Sequence, residues 1–289
     1  MHCRSFLFIL AISFFGKWAR CDSIHPQTRI INGYPAKVSQ FPFFVQILLK
    51  LGLTLPSAPP MEIIVDGNCG GSIVGSRWIL TAAHCLHTAP LRYINGTVTA
   101  GSIERNSGVF MEIFSEDFHL HPDYDRLTTT NDIGLIYLLK AFEFSNSIAS
   151  IEIFKYSLED KFPYDSPENN FTVMGFGRTS MSQNTPLSTI LMFGYLRHHP
   201  VADCQARGEY GGAFPSSAIC VGPTGERQSS TCIGDSGAPL VHYSQESCQP
   251  VQVGVVSFGN AECEGLQGCS KVDIFTEWIC QVTNGNVCS

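Results

Sequence analysis

The chain has 289 residues, with 18 basic against 25 acidic side chains and 12 cysteines. That length can bury a sizeable core in one large domain or two small ones. A charged fraction of 15% with 11% aromatic residues excludes a disordered or coiled-coil chain. A net charge of −7 excludes the basic surface that a nucleic-acid binder needs.

The first element in chain order is a leader. Arg4 supplies a positive start, and the apolar run from Phe6 to Phe15 is too short to cross a bilayer, so residues 1–20 read as a signal peptide with an approximate end. No later stretch is long and apolar enough to span a membrane. The expectation is a secreted chain whose cysteines pair in an oxidising, extracellular compartment. Short β-rich runs follow at Phe41 to Leu49, Ser72 to Thr81, Phe110 to Phe114, Ile133 to Leu139, Phe171 to Phe176 and Gln252 to Phe258. Gly, Pro, Asn and Asp punctuate them, which predicts an all-β barrel or sandwich. Leu55 to Pro60 is Pro-rich and reads as a rigid loop tip. The sequons at Asn95 and Asn170 are candidate glycosylation sites. A C-terminal helix is predicted over residues 275–283, where Phe275, Trp278, Ile279 and Val282 share one face.

Three short segments carry candidate chemistry. Gly234-Asp235-Ser236-Gly237 sets a hydroxyl in a tight turn, the exposure a nucleophile needs, with backbone N–H groups available for a developing oxyanion. Thr81-Ala82-Ala83-His84-Cys85 ends an apolar strand on a histidine beside a cysteine. Asn131-Asp132-Ile133-Gly134 opens a buried-looking strand with an acid. Taken singly, each has a plain structural explanation: a turn, a core histidine, a strand-entry cap. Taken together, in the order His, Asp, Ser, they form the set required for nucleophilic catalysis at a carbonyl.

These segments, with Arg29-Ile30-Ile31-Asn32-Gly33 and Gly254-Val255-Val256-Ser257-Phe258-Gly259, resemble the trypsin/chymotrypsin-like serine proteases over Arg29 to about Val282. The resemblance implies two packed six-stranded antiparallel β-barrels with a C-terminal α-helix, barrel one near residues 30–147 and barrel two near 148–273. It implies a serine endopeptidase in which Ser236 attacks, His84 shuttles the proton and Asp132 orients His84. The N–H groups of Gly234 and Ser236 would form the oxyanion hole, and Ser257 would support Asp132 and the substrate backbone. Residues 21–29 would be an activation propeptide, cut after Arg29 so that the Ile30 ammonium pairs with Asp235.

The same resemblance pairs Cys69 with Cys85, Cys204 with Cys220 and Cys232 with Cys263. Cys21, Cys248, Cys269, Cys280 and Cys288 stay unassigned. Ser230 falls at the base of the primary pocket and Gly259 at its mouth, so a neutral, open pocket is expected to prefer large hydrophobic side chains, as in chymotrypsin-like relatives. The usual Pro-Gly-Val-Tyr wall is replaced by Gln267-Gly268-Cys269-Ser270, which leaves elastase-like or broad cleavage as the alternative. A non-catalytic homologue acting as a binding module is the further alternative. Leu49 to Asp66 exceeds the corresponding loop of compact relatives, and Ala238 stands where a second glycine is usual. Neither His119 with His121 nor the Gly101 to Gly108 loop reads as a metal site, so no cofactor is expected. The partners implied are protein or peptide substrates, a trypsin-like activator and protein inhibitors, acting on a monomer with no nucleic acid or membrane.

Overall fold

The computed structural model describes residues 30–56, 61–155, 170–180, 182, 184–206, 213–224, 228–243, 249–260 and 262–288. The leader, Arg29, Cys21, Cys248 and the tip of the Pro-rich loop lie outside the described residues. Strand β1 (Tyr34–Pro35) is followed by β2 (Phe44–Leu55), β3 (Met61–Gly75), β4 (Trp78–Thr81), β5 (Arg92–Ala100), β6 (Val109–Ile113), β7 (Phe118–Leu120) and β8 (Gly134–Tyr137). Strands β2 to β8 form one antiparallel sheet in the order β6-β5-β2-β3-β4-β8-β7.

The second sheet uses β9 (Glu152–Ile153), β10 (Asn170–Gly175), β11 (Met192–His198), β12 (Ala218–Pro223), β13 (Pro239–Tyr243), β14 (Pro250–Phe258) and β15 (Gln267–Lys271). Pairing of β11 with both β10 and β12 closes β10 to β15 into a six-stranded barrel, to which β1 and β9 are added at the margins. The first sheet curls into a half-barrel. The two-barrel, all-β architecture expected from the sequence is therefore present. One strand crosses the anticipated boundary: Tyr34 pairs with Phe193 and Pro35 with Met192, so the start of the chain is stitched to the second barrel.

Each barrel fills with aliphatic side chains from the inner face of its strands. Val45, Ile47, Ile73, Ile79 and Val98 are fully buried in the first. Phe171, Val173, Leu240, Val253 and Val255 fill the second, whose core continues across the cleft to Phe44, Leu80 and Leu135. Burying a side chain of this size contributes about 1.5–3 kcal/mol, so the continuous core docks the barrels firmly. Polar ties reinforce the seam. Ser72 Oγ on β3 donates to Gln252 Oε1 on β14 at 2.5 Å, both side chains being buried.

The segment expected as one strand from Ser72 to Thr81 is a hairpin, because Ser76-Arg77 turns the chain between β3 and β4. The described parts of the region from Leu49 to Asp66 are likewise strand, in β2 up to Leu55 and in β3 from Met61. β2 and β3 run in register from Phe44 against Ser72 out to Leu55 against Met61. At the other end of the chain, a short 3-10 turn leads into α3 (Thr276–Val282), which buries Ile279 in the second core, as the apolar face predicts. Two shorter helices, α1 (Ala83–Leu86) and α2 (Val201–Ala206), follow β4 and β11.

The three expected disulfides are formed: Cys69–Cys85, Cys204–Cys220 and Cys232–Cys263. Cys280 and Cys288, unassigned from sequence, also join, at the end of α3. Cys269 is a free, buried thiol on β15, and burial pushes its pKa up to about 12.

Candidate active site

Two sheets contribute to one cleft, and strand pairing explains how. β4 pairs with β8, with Thr81 opposite Gly134. The turn that follows β4 therefore lies beside the residues that precede β8, which brings His84 on α1 against Asp132. The fit is a double clamp. His84 N–H donates to Asp132 Oδ1 at 2.8 Å, and ring Nδ1 lies 2.7 Å from Oδ2. Ser257 Oγ, from β14 of the other sheet, donates to the same Oδ2. Asp132 is fully buried, while about a third of the His84 side chain stays open.

The second barrel holds the Asp132 loop from below. Ser270 Oγ donates to Asp132 O at 2.7 Å, and Asn131 N–H donates to Ser217 Oγ at 2.9 Å. Sequence reasoning missed Ser217 and Ser270, since their role exists only once the two barrels are docked. Electrostatics follow from this packing. Burial alone would lower the His84 pKa, but the charge and hydrogen bond of Asp132 outweigh it and raise it above 6.5. Burial would likewise raise Asp132, and the charge of His84 and the hydrogen bonds from His84 and Ser257 turn the net shift downward. With Nδ1 engaged as donor to the carboxylate, Nε2 is the ring atom left to accept a proton.

Ser236 sits in the turn between Cys232 and β13, half-buried, facing a pocket lined by Thr231, Ile233, Val256, Ser257, Phe258 and Gly259 among others. The turn is pinned to the first sheet, because Gly70 N–H donates to Ser236 O at 2.7 Å. Gly234 has φ +99° and Gly237 φ +78°, and a Cβ on Gly237 would collide with Thr81 Oγ1. Only glycine fits there without strain. The unusual Ala238 is fully buried opposite Gly70, where the missing side chain of the glycine makes room for it. Among the described residues, the N–H groups of Gly234 and Ser236 have no backbone acceptor, whereas Asp235 N–H and Gly237 N–H are both bonded. Two free donors flanking a hydroxyl are what an oxyanion requires. No hydrogen bond joins Ser236 Oγ to His84 among the described residues. Such bonds are often long without a substrate and tighten when one binds.

Asp235 points away from the cleft. Its carboxylate accepts Gly177 N–H at 2.8 Å and Cys232 N–H at 2.9 Å. Both Gly175 and Gly177 press on it so closely that neither could carry a Cβ. Burial raises its pKa to about 6 despite those two bonds, and no ion pair reaches it among the described residues. Ile30 is buried, Ile31 O accepts Ser230 N–H at 3.2 Å, and Ser229 Oγ donates to Asn32 O. The start of the described chain is thus fixed to the segment that leads into the Ser236 turn.

Ser230, expected at the pocket base, is buried, its Oγ turned to Thr231 O, and it is not among the residues lining the pocket. Gly259, expected at the mouth, does line the pocket. Glu264 is exposed and outside the lining. Cys69, His84 and Cys85 bring three possible metal-ligand atoms within 4.8 Å of one another, but the two sulfurs are spent in a disulfide. His119 and His121 do not form a common site: His119 packs on Trp78, and His121 on Phe275 and Trp278. Asn95 and Asn170 are both exposed.

The paired-barrel fold with such a cleft defines the class of serine endopeptidases built on two β-barrels. The comparisons with known proteins agree. The family model described as Trypsin matches residues 30–279, and the chain belongs to that family. Collagenase of Hypoderma lineatum is 32% identical over 261 residues, covering 88% of this chain and 87% of the relative. Cathepsin G of Mus musculus is 30% identical over 251 residues, covering 87% and 84%. Trypsin 5G1 of Aedes aegypti is 28% identical over 267 residues, covering 91% and 88%. The solved structure of HL collagenase superposes with a TM-score of 0.68 at 28% identity, covering 88% of this chain and 98% of that one. The chain is accordingly a serine endopeptidase.

Proposed function

We propose that His84, Asp132 and Ser236 form the catalytic triad, that cleavage proceeds through an acyl-enzyme, and that the enzyme works outside the cell after activation at Arg29. The observation that carries the reading is the double clamp of Asp132 on His84, which engages the backbone N–H and ring Nδ1 and leaves Nε2 as the ring atom to take a proton from Ser236. Ser236 Oγ attacks the scissile carbonyl as His84 Nε2 takes its proton. The oxyanion is received by the N–H groups of Gly234 and Ser236. His84 then returns the proton to the leaving amine, and water repeats the sequence on the acyl-enzyme.

Zymogen activation is supported by the docked Ile30–Gly33 segment and by a buried Asp235 without a cationic partner among the described residues. Cutting after Arg29 creates an ammonium at Ile30, and charge pairing with Asp235 would satisfy that carboxylate. Secretion is supported by the leader and by the disulfides. No helix among the described residues is long and apolar enough to cross a membrane. The exposed Asn95 and Asn170 suit glycan acceptors. Among the described residues, those lining the pocket carry no acid, so a Lys or Arg side chain before the cut bond would be desolvated without compensation, and uncharged side chains are preferred.

A fluorophosphonate probe tests the triad. Labelling at Ser236 after activation, abolished by His84→Ala, is the expected result. An activated chain that cleaves no peptide and takes up no probe would establish the non-catalytic reading instead.

A further inference from the structure

Asp132 is the middle residue of a tight turn, in which Ile133 N–H donates back to Asn131 O at 2.8 Å. Asn131 enters that turn with φ +54°, in the left-handed region, which persists only where the surroundings hold it. Residues 131–133 belong to no strand and lie in the connection from β7 to β8. The rest of that connection is a surface loop bonded to itself. Asp125 N–H donates to Thr130 O and Asn131 Nδ2 to Asp123 O, each at 3.0 Å, and Leu127 is almost fully exposed. What holds the turn from outside comes from the other barrel. Ser270 Oγ on β15 donates to Asp132 O, and Ser217 Oγ, just before β12, accepts Asn131 N–H. Among the described residues, neither backbone group has another partner. Both serines are buried, and both stand on one ladder: Ser270 lies opposite Ala218, and Lys271 N–H donates to Ser217 O. The next strand is β14, with Val255 opposite Ser270, and it supplies Ser257 to the carboxylate.

We infer that Ser217 and Ser270 are positioning residues for the proposed catalytic step, a clasp through which the second barrel sets the bearing of Asp132 on His84. Their hydroxyls meet only the backbone of the turn, so they act through the acid and not on the substrate. The bearing matters because His84 engages both carboxylate oxygens, Oδ1 through its backbone N–H and Oδ2 through Nδ1. A small shift or rotation of the Asp132 backbone spoils both contacts at once, and with them the orientation of the ring. The inference rests on the reading of His84, Asp132 and Ser236 as the triad. It adds that alignment of the triad is a property of the docked barrels, since the first sheet by itself leaves the turn unclasped.

The test uses the activated enzyme and one peptide that the parent cleaves, with folding followed by the thermal midpoint and Ser236 counted by fluorophosphonate labelling carried to completion. Ser270→Ala should lower kcat by about tenfold to a hundredfold, the range reached when a group is misplaced by about 1 Å, while KM stays within about twofold of the parent. In the Asp132→Asn background the carboxylate is already gone. There the same replacement should change kcat by less than about twofold, the non-additivity of residues that act through one another. Ser217→Ala should behave alike, and it carries the test if Ser270→Ala is recovered unfolded. Two unfolded variants would make the clasp a matter of stability alone and overturn the inference. So would a kcat within about twofold of the parent, a loss that appears in KM, or an equal loss of kcat in both backgrounds. In each of those cases labelled Ser236 in the parent keeps the triad reading intact. A parent that takes no label and cleaves no peptide would overturn both.

Discussion

At Asp132 a single buried carboxylate is met by three donors: His84 N–H, His84 Nδ1 and Ser257 Oγ. Replacing it by Asn keeps the shape but lets the amide present a donor to Nδ1, which favours the wrong tautomer of His84. On the proposed triad, Asp132→Asn should lower kcat by about 10⁴-fold, the size of effect this substitution has in enzymes with a Ser-His-Asp triad, with the thermal midpoint measured in parallel to show an intact fold. The raised pKa of His84 has its own consequence. The ring must be neutral to accept a proton, so kcat/KM should fall as pH drops, with an acid limb above 6.5. The Asn variant, having lost the charge that lifts this value while keeping the burial that lowers it, should show its limb displaced downward. Ser257→Ala removes one donor from the buried carboxylate and should cost about 1–3 kcal/mol in a denaturant titration.

The elements that carry these side chains explain what could be read beforehand. His84, Asp132 and Ser236 each sit in a short local segment whose composition marks it, and β4–β8 pairing merely brings two of those segments together. The C-terminal helix and the three disulfides near the core were legible for the same reason, local periodicity in one case and family pattern in the other. Ser270, Ser217 and Gln252 were not, because each acts across the seam on a residue far away in sequence. Gln267 was visible only as a departure from the usual wall; its hydrogen bond from Thr231 Oγ1 joins residues far apart in sequence. The turn at Gly237 offers a clean test of how an element holds Ser236. With φ +78°, and with Thr81 Oγ1 and Gly70 O both standing where a methyl group would lie, Gly237→Ala should lose at least about 1–3 kcal/mol of stability. It should also displace Ser236, lowering kcat more than it raises KM.

At the scale of the whole molecule, the activation proposed above would make Asp235 a link between folding and processing. Its pKa in the uncut chain, raised by burial from 3.8 to about 6, means that the folded state holds a proton the unfolded chain releases. This contribution to stability is complete below about pH 4 and is lost as pH rises through about 6, for a total of about 3 kcal/mol. Cleavage after Arg29 should change the sign, since an Ile30 ammonium favours the ionised carboxylate. Melting the Arg29→Gln chain and the cleaved chain side by side from pH 4 to pH 7 should therefore show the uncut form losing stability relative to the cut one. Parallel curves would indicate that Asp235 does not receive the new terminus.

The long β2–β3 hairpin bears on how the protein behaves in a tube. β4 covers β3 only from Ser72 to Gly75, so the outer stretch from Met61 to Asp66 is laddered on one side, to β2, among the described residues. Met61 and Ile64 are each 52% exposed there, with Val65 and Ile63 close behind. An open strand edge bordered by wet aliphatic side chains is a template for unwanted strand addition, and the charged Glu62 and Asp66 are its only gatekeepers in that stretch. Refolding from denaturant at high concentration should therefore produce turbidity nucleated at this arm. A lysine at position 64 (Ile64→Lys) should suppress the turbidity and raise the soluble yield while peptide hydrolysis per labelled Ser236 stays the same.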